Sequence, residues 1–270
     1  MPVMLTNGSI LAEFNPLAPI TEQIMFSFSI GGFRISVSNH MFVITLAMLL
    51  LLIAVPIIVR SRKVVPTGVY NLVEAICVFV RNQIARPMLG DFTDKYISFI
   101  WTMFFFVLTL NLLGIVPLEQ FGALITGKHN YFGGAATANI WITGGLAIVT
   151  LFASIAAGIK QKGLIGYFAG LAPAVPWWIA PLMYFLELVT LLIRPFTLAI
   201  RLFANIMAGH IIIGIFLGFI LIFKNYFVAT ISIFTAAILS LMEMLVAVIQ
   251  AYIFAFLTTL YISMAVKNEH

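Results

Sequence analysis

Glu187, Arg194, Arg201, His210 and Glu243 are ionisable side chains in the most apolar part of this chain. Two amides, Asn205 and Gln250, accompany them. An arginine stays protonated under any condition a protein meets, and a fixed charge at membrane depth is expensive and usually functional. The bland alternative for Arg201 is a side chain that snorkels to a headgroup. Apolar sequence continues on both sides of Arg201 for farther than such a stem reaches. His210 and Glu243 both titrate under moderate perturbation, so together they read as a proton-handling pair, against the alternative of a satisfied interior histidine. Glu187 and Arg194 read as proton-pathway groups or as a mutually neutralising ion pair. Asn205 and Gln250 read as pathway groups or as interhelical hydrogen-bond glue. Gly209, Gly214 and Gly218 permit close helix approach, with packing as the default reading.

Spacing decides which of these groups share a face. Glu187, Arg194 and Arg201 recur every seven residues, so on an α-helix they follow one stripe that drifts by about 20° per step. Asn205 lies one turn beyond Arg201 on nearly the same face. His210 comes nine residues after Arg201, which turns it to the opposite face of a straight helix. Glu243 and Gln250 are again seven apart. In an antiparallel helical pair turning near residue 226, His210 comes level with Glu243, and Arg201 with Gln250.

These groups need elements that hold them in a membrane. The chain has 270 residues, of which 63% are hydrophobic and 9% charged, against about 25% charged in a soluble domain. The implied fold is all-α and polytopic. It has about five membrane segments at 41–59, 97–117, 138–159, 179–223 and 228–266, and one interfacial helix at about 67–90. The last two segments exceed a bilayer core of about 30 Å, so they form a long, steeply tilted or protruding C-terminal hairpin. Residues 1–40 read as an extramembrane segment, with a small β-hairpin around Gly31-Gly32, and residues 41–270 as the membrane domain. Trp177 and Trp178 read as interface anchors.

Arg60, Arg62, Lys63, Lys160, Lys162 and Lys267 follow or close the spans on one side, which places that side inside and the N-terminus outside. The net charge of +5 marks topology through scattered basic residues and does not imply nucleic acid. A single cysteine, Cys77, excludes an internal disulfide and a thiolate metal cluster. No cofactor or metal site is expected. The segment Gly122 to His129 nearly spells a phosphate-binding loop, but His129 stands where Ser or Thr should hold magnesium, so no bound nucleotide is expected. The N-terminus shows no cleavable signal pattern.

Thr197-Leu-Ala-Ile-Arg201-Leu-Phe-Ala-Asn205-Ile-Met-Ala-Gly209-His210 strongly resembles the signature of subunit a of the F-type ATP synthase. Asn111-Leu-Leu-Gly-Ile-Val-Pro117 and Gln250-Ala-Tyr-Ile-Phe-Ala-Phe-Leu-Thr-Thr-Leu-Tyr261 resemble two further segments of that family. The resemblance runs from about Met41 onward and leaves the first 40 residues uncovered. It implies that Arg201 is the essential stator arginine facing the c-ring, with Gln250 near it. It implies that Glu187, Asn205, His210 and Glu243 line two proton half-channels. Some family members exchange the His and Glu of the pair, and this chain carries the His-first arrangement.

The reading that follows is a proton-conducting stator subunit, not catalytic on its own, which couples proton flow to ring rotation and ATP synthesis. Its partners are the c-ring, peripheral-stalk b subunits, the lipid bilayer and protons. The expected location is the bacterial plasma membrane, with the mitochondrial inner membrane as the alternative. A stand-alone ion-coupled secondary transporter is the competing function, and it predicts an internal repeat. An intramembrane enzyme would need His-Glu-x-x-His or Gly-x-Ser-x-Gly, which this chain lacks.

Overall fold

The computed structural model describes residues 24–30, 33–59, 68–116, 134–170, 176 and 178–267. Arg60, Arg62, Lys63, Trp177, residues 1–23 and the segment 122–129 lie outside the described residues.

The first elements are two antiparallel strands, β1 (Ile24–Ile30) and β2 (Phe33–Ser38). Ile30 pairs with Phe33 and Phe28 with Ile35, so the two strands pair as the expected hairpin. The exposed serines Ser27 and Ser36 pair across the strands.

Helix α1 (Asn39–Val59) follows directly. The Ser38 hydroxyl accepts the Met41 N–H at 3.4 Å, which caps its first turn.

The stretch expected as one interfacial helix is helical in three pieces: α2 (Val69–Phe79), a π-turn over Val80–Ala85, and α3 (Arg86–Leu89). Helix α4 (Thr93–Ile115) comes after a 3₁₀ turn at Gly90–Phe92 and starts earlier than expected. Gly90 has φ +58, a conformation that glycine reaches at little cost, and the chain reverses there. The reversal is read from two contacts: Arg81 pairs with Asp94 at 2.6 Å, and the Trp101 indole N–H donates to the Cys77 carbonyl at 3.0 Å. Arg81 on the π-turn and the Cys77 carbonyl on α2 thus find partners on α4.

Helix α5 (Ile140–Lys162) and the short α6 (Leu164–Ala169) come next. The expected Gly/Pro-rich connection therefore contains a helix. The last two elements are α7 (Ala180–Phe223) and α8 (Tyr226–Val266). At 44 residues α7 is roughly 66 Å long, and at 41 residues α8 is roughly 62 Å. Pro181 occupies the first turn of α7, where no N–H bond is lost, whereas Pro195 lies within the helix and removes one.

Among the described residues, five helical runs are long and apolar enough to cross a membrane: Asn39–Ile58, Val69–Ile115, Ile140–Lys162, Ala180–Ile220 and Tyr226–Val266. The protein is an all-α polytopic membrane protein with a long C-terminal helical pair, as expected. The chain divides into two compact units that cut across helices. One holds residues 1–47, 109–139 and 202–249, the other residues 48–108, 140–201 and 250–270.

Candidate functional site

In the first unit, His210 and Glu243 meet. His210 Nδ1 lies 2.6 Å from Glu243 Oε1, with side chains 10% and 7% exposed. Gly209 makes room for this contact: a Cβ at that position would sit 2.9 Å from Glu243 Oε1 and 3.1 Å from its carboxyl carbon. The expected closeness of the level pair is therefore met by direct contact, and the glycine read as a packing residue packs against the carboxylate itself.

The other face of the imidazole is held by α4. His210 Nε2 lies 3.1 Å from the Gly114 carbonyl oxygen, which can only accept, so Nε2 carries a hydrogen. Nδ1 also lies 3.2 Å from the Ile206 carbonyl. With Nε2–H committed, Nδ1 and Oε1 are the two positions between which a proton taken up by the pair would lie. Such a pair gains and loses a proton without moving a heavy atom far.

Asn111, fully buried on α4, donates from Nδ2 to the Ala247 carbonyl at 3.4 Å, one turn beyond Glu243. Gly114 in turn meets Ala135, whose Cα would lie 3.3 Å from a Cβ at Gly114. Asn111 and Gly114 were legible only as parts of a family-like segment. A backbone carbonyl that orients a histidine leaves no side-chain signature in a sequence.

In the second unit, Arg194 and Glu187 form an ion pair at 2.9 Å, with side chains 17% and 35% exposed. The Arg194 guanidinium also stands 5.9 Å from the centroid of the Tyr261 ring. The seven-residue spacing thus lets the two charges neutralise each other, the plainer of the two alternatives. Both line a cavity of about 280 Å³ together with Tyr167, Tyr261, Lys162 and Lys267. Lys162 Nζ donates to the Lys267 carbonyl at 3.1 Å, which joins the C-terminal ends of α5 and α8. Burial pushes the Tyr167 phenol above its ordinary pKa, with Arg194 opposing and Glu187 reinforcing the rise. Gly158 lets the Tyr167 ring approach, because a Cβ there would overlap it.

Arg201 belongs to the same unit and differs from Arg194. It is exposed, and among the described residues it forms no hydrogen bond or ion pair. Its neighbours Phe196, at 63% exposure, and Ile200, at 39%, are exposed as well, while Leu198 is fully buried. The unsatisfied guanidinium therefore stands on an outward-facing apolar stripe. Gln250 is buried, and its amide nitrogen finds no partner among the described residues. No hydrogen bond joins Arg201 to Gln250, although the hairpin register sets them level. In the first unit Asn205 is half-buried and forms no hydrogen bond among the described residues.

Comparison with known proteins gives the family. Residues 41–263 match the family described as ATP synthase A chain. The chain is 36% identical to ATP synthase subunit a of Chloroherpeton thalassium, across 89% of this chain and 69% of that one. It is 35% identical to ATP synthase subunit a 2 of Prosthecochloris aestuarii, across 93% and 75%. It is 36% identical to ATP synthase subunit a of Myxococcus xanthus, across 89% and 76%. A match covering the helices that carry His210, Glu243 and Arg201, joined to relatives aligned over most of their length, makes this chain a member of the ATP synthase A chain family.

Proposed function

We propose that this chain is the proton-conducting stator of an F-type ATP synthase in a bacterial plasma membrane, and that it faces a c-ring and is held by peripheral-stalk b subunits. The observation that carries this reading is Arg201: an exposed guanidinium in an apolar helix, without a counter-charge among the described residues. A charge in that setting needs a partner carboxylate from outside the chain. A ring of subunits that each carry one membrane carboxyl group supplies it.

The roles then divide by unit. Protons reach the membrane from the outside through the His210–Glu243 pair, which takes up one proton and passes it to a ring carboxylate. Rotation carries the neutral carboxyl group through lipid. It loses its proton at the inner side, toward the cavity lined by Glu187, Arg194 and Tyr261. Arg201 attracts each carboxylate as it loses its proton, and its fixed charge repels a proton running directly between the two paths. Asn205 and Gln250 supply uncharged hydrogen-bonding groups beside Arg201. The chain carries no catalytic chemistry, since the work is done by moving protons. One charge crossing the membrane is worth about 2.3 kcal/mol per 100 mV.

The test is ATP-driven proton pumping by membrane vesicles. Arg201→Ala is expected to abolish pumping, while Arg194→Ala leaves a measurable fraction. Normal pumping by Arg201→Ala with none by Arg194→Ala would assign the stator charge to the other arginine.

A further inference from the structure

His40 has no part in the mechanism above, yet its side chain is 1% exposed. It opens α1 in a turn where Ser38 is 3% exposed and Asn39 fully buried. Burying an imidazole and an amide is costly unless they are hydrogen-bonded. The Asn39 side-chain oxygen accepts the His40 backbone N–H at 2.9 Å. The Asn139 amide nitrogen lies 3.4 Å from His40 Nδ1.

Asn139 connects this histidine to the pair already described. It ends a short segment that begins at Ala135 and makes a 3₁₀ turn over Ala136–Ala138, with Thr137 fully buried. Ala135 is the residue that abuts Gly114, and the Gly114 carbonyl holds His210. One buried segment therefore touches His40 at one end and the wall of the His210 site at the other. All of these residues belong to the same compact unit. Helix α1 runs inward toward Arg60, Arg62 and Lys63, so its first turn is at the outer side.

We propose that His40 is a proton-relay residue on the outer approach to the His210–Glu243 pair. The proposal rests on the proton-conducting role above. Histidine is the side chain whose ordinary pKa suits repeated uptake and release near neutral pH. A side-chain amide serves either charge state: the Asn139 nitrogen donates to a neutral ring, and after a flip its oxygen accepts from a protonated one. In each transit the ring gains one proton from water on the outer side and gives one to water on the side of the pair, so it ends in its starting state. The Asn139 amide on the adjoining segment faces the His40 ring. The ionisable side chains of the unit's described residues are Arg34 in the hairpin, His40, His210, Glu243, and Lys224 and Tyr226 at the α7–α8 turn.

The experiment measures passive proton conductance of membranes carrying the whole complex after the catalytic head is stripped, as a function of outer pH. His40→Gln keeps hydrogen-bonding groups but cannot titrate. It is expected to lower conductance roughly tenfold, less than the full contribution of a positioned acid–base group because water still reaches the pair. His40→Glu restores titration and is expected to recover much of the conductance, with its outer-pH profile moved toward acid. Wild-type conductance in His40→Gln overturns the proposal, and so does an equal loss in Gln and Glu with unchanged pH profiles. Should His40→Gln fail to assemble, judged by recovery of ring subunits with this chain, His40→Asn is read in the same way. His210→Ala is the control. If it too conducts normally, the proton-pathway reading fails; if it is silent while His40→Gln conducts fully, only the relay fails.

Discussion

Arg201 and Arg194 are the same chemistry seven residues apart, and their surroundings separate them. Arg194 has Glu187 at 2.9 Å and an aromatic ring beside it. Arg201 has neither. Arg201→Lys is therefore expected to lose coupled ATP synthesis although it keeps the charge, because an ammonium sheds its proton when desolvated and lacks the planar fork. Synthesis by reconstituted vesicles checks this, and near-normal rates with Lys would remove the special role of the guanidinium. His210 and Glu243 are in direct contact, so replacing both with Ala should cost less proton flux than the two single losses combined. Simple additivity in that cycle would mean that the groups work separately. Gly209→Ala puts a methyl group 2.9 Å from Glu243 Oε1. Overpacking of that kind costs about 1–3 kcal/mol, and the nearest relief is to push the carboxylate off His210. Passive conductance close to that of His210→Ala is the expected result; wild-type conductance would show that the contact is not needed.

At the scale of elements, the turn between α7 and α8 sets the level of the pair. Lys224 adopts φ +47 and donates its N–H to the Ile220 carbonyl at 3.2 Å, ending α7 in a left-handed residue. The Asn225 side chain then accepts the Phe227 N–H at 2.9 Å and caps α8. Lys224→Gly removes the strain of a left-handed lysine and should stabilise the subunit by about 1 kcal/mol. Asn225→Ala removes the cap and should destabilise it by about 1 kcal/mol. Thermal unfolding of the solubilised protein measures both, and shifts of the same sign would contradict this account of the turn. The turn was legible because Lys224-Asn225 is the only polar break between two apolar runs. Its position at 224–225 rather than near 226 depends on which residue takes the left-handed conformation, and propensity ranks lysine poorly there. The π-turn at Val80–Ala85 and the reversal at Gly90 were not legible. Polar residues in α2 look interfacial in isolation, but Arg81 is partnered by a residue on α4.

For the whole molecule, the distribution of Lys and Arg predicts topology. In a Cys77→Ser background, Arg62→Cys and Gln161→Cys should react with an impermeant thiol reagent from the inside only. Labelling of both from the outside would invert the assignment and place the His40 turn at the inner face.

Composition and hydrophobic run length were enough for the membrane class, the helical fold and the long final pair, because a bilayer leaves backbone groups few other ways to be satisfied. The seven-residue spacing of Glu187, Arg194 and Arg201 and the level of His210 with Glu243 were legible for a related reason: helical geometry is local and periodic. What each charge does was not local. Glu187 neutralises Arg194 from seven residues away, but the exposure of Arg201 and the Tyr261 ring beside Arg194 depend on how distant segments pack. The role of the Gly114 carbonyl, the fit of Gly209 against Glu243, and the burial of His40 beside Asn139 arise where distant segments pack. Such contacts join residues as far as 136 positions apart, and only the tertiary structure decides them, because side-chain packing and not chain periodicity selects the partners.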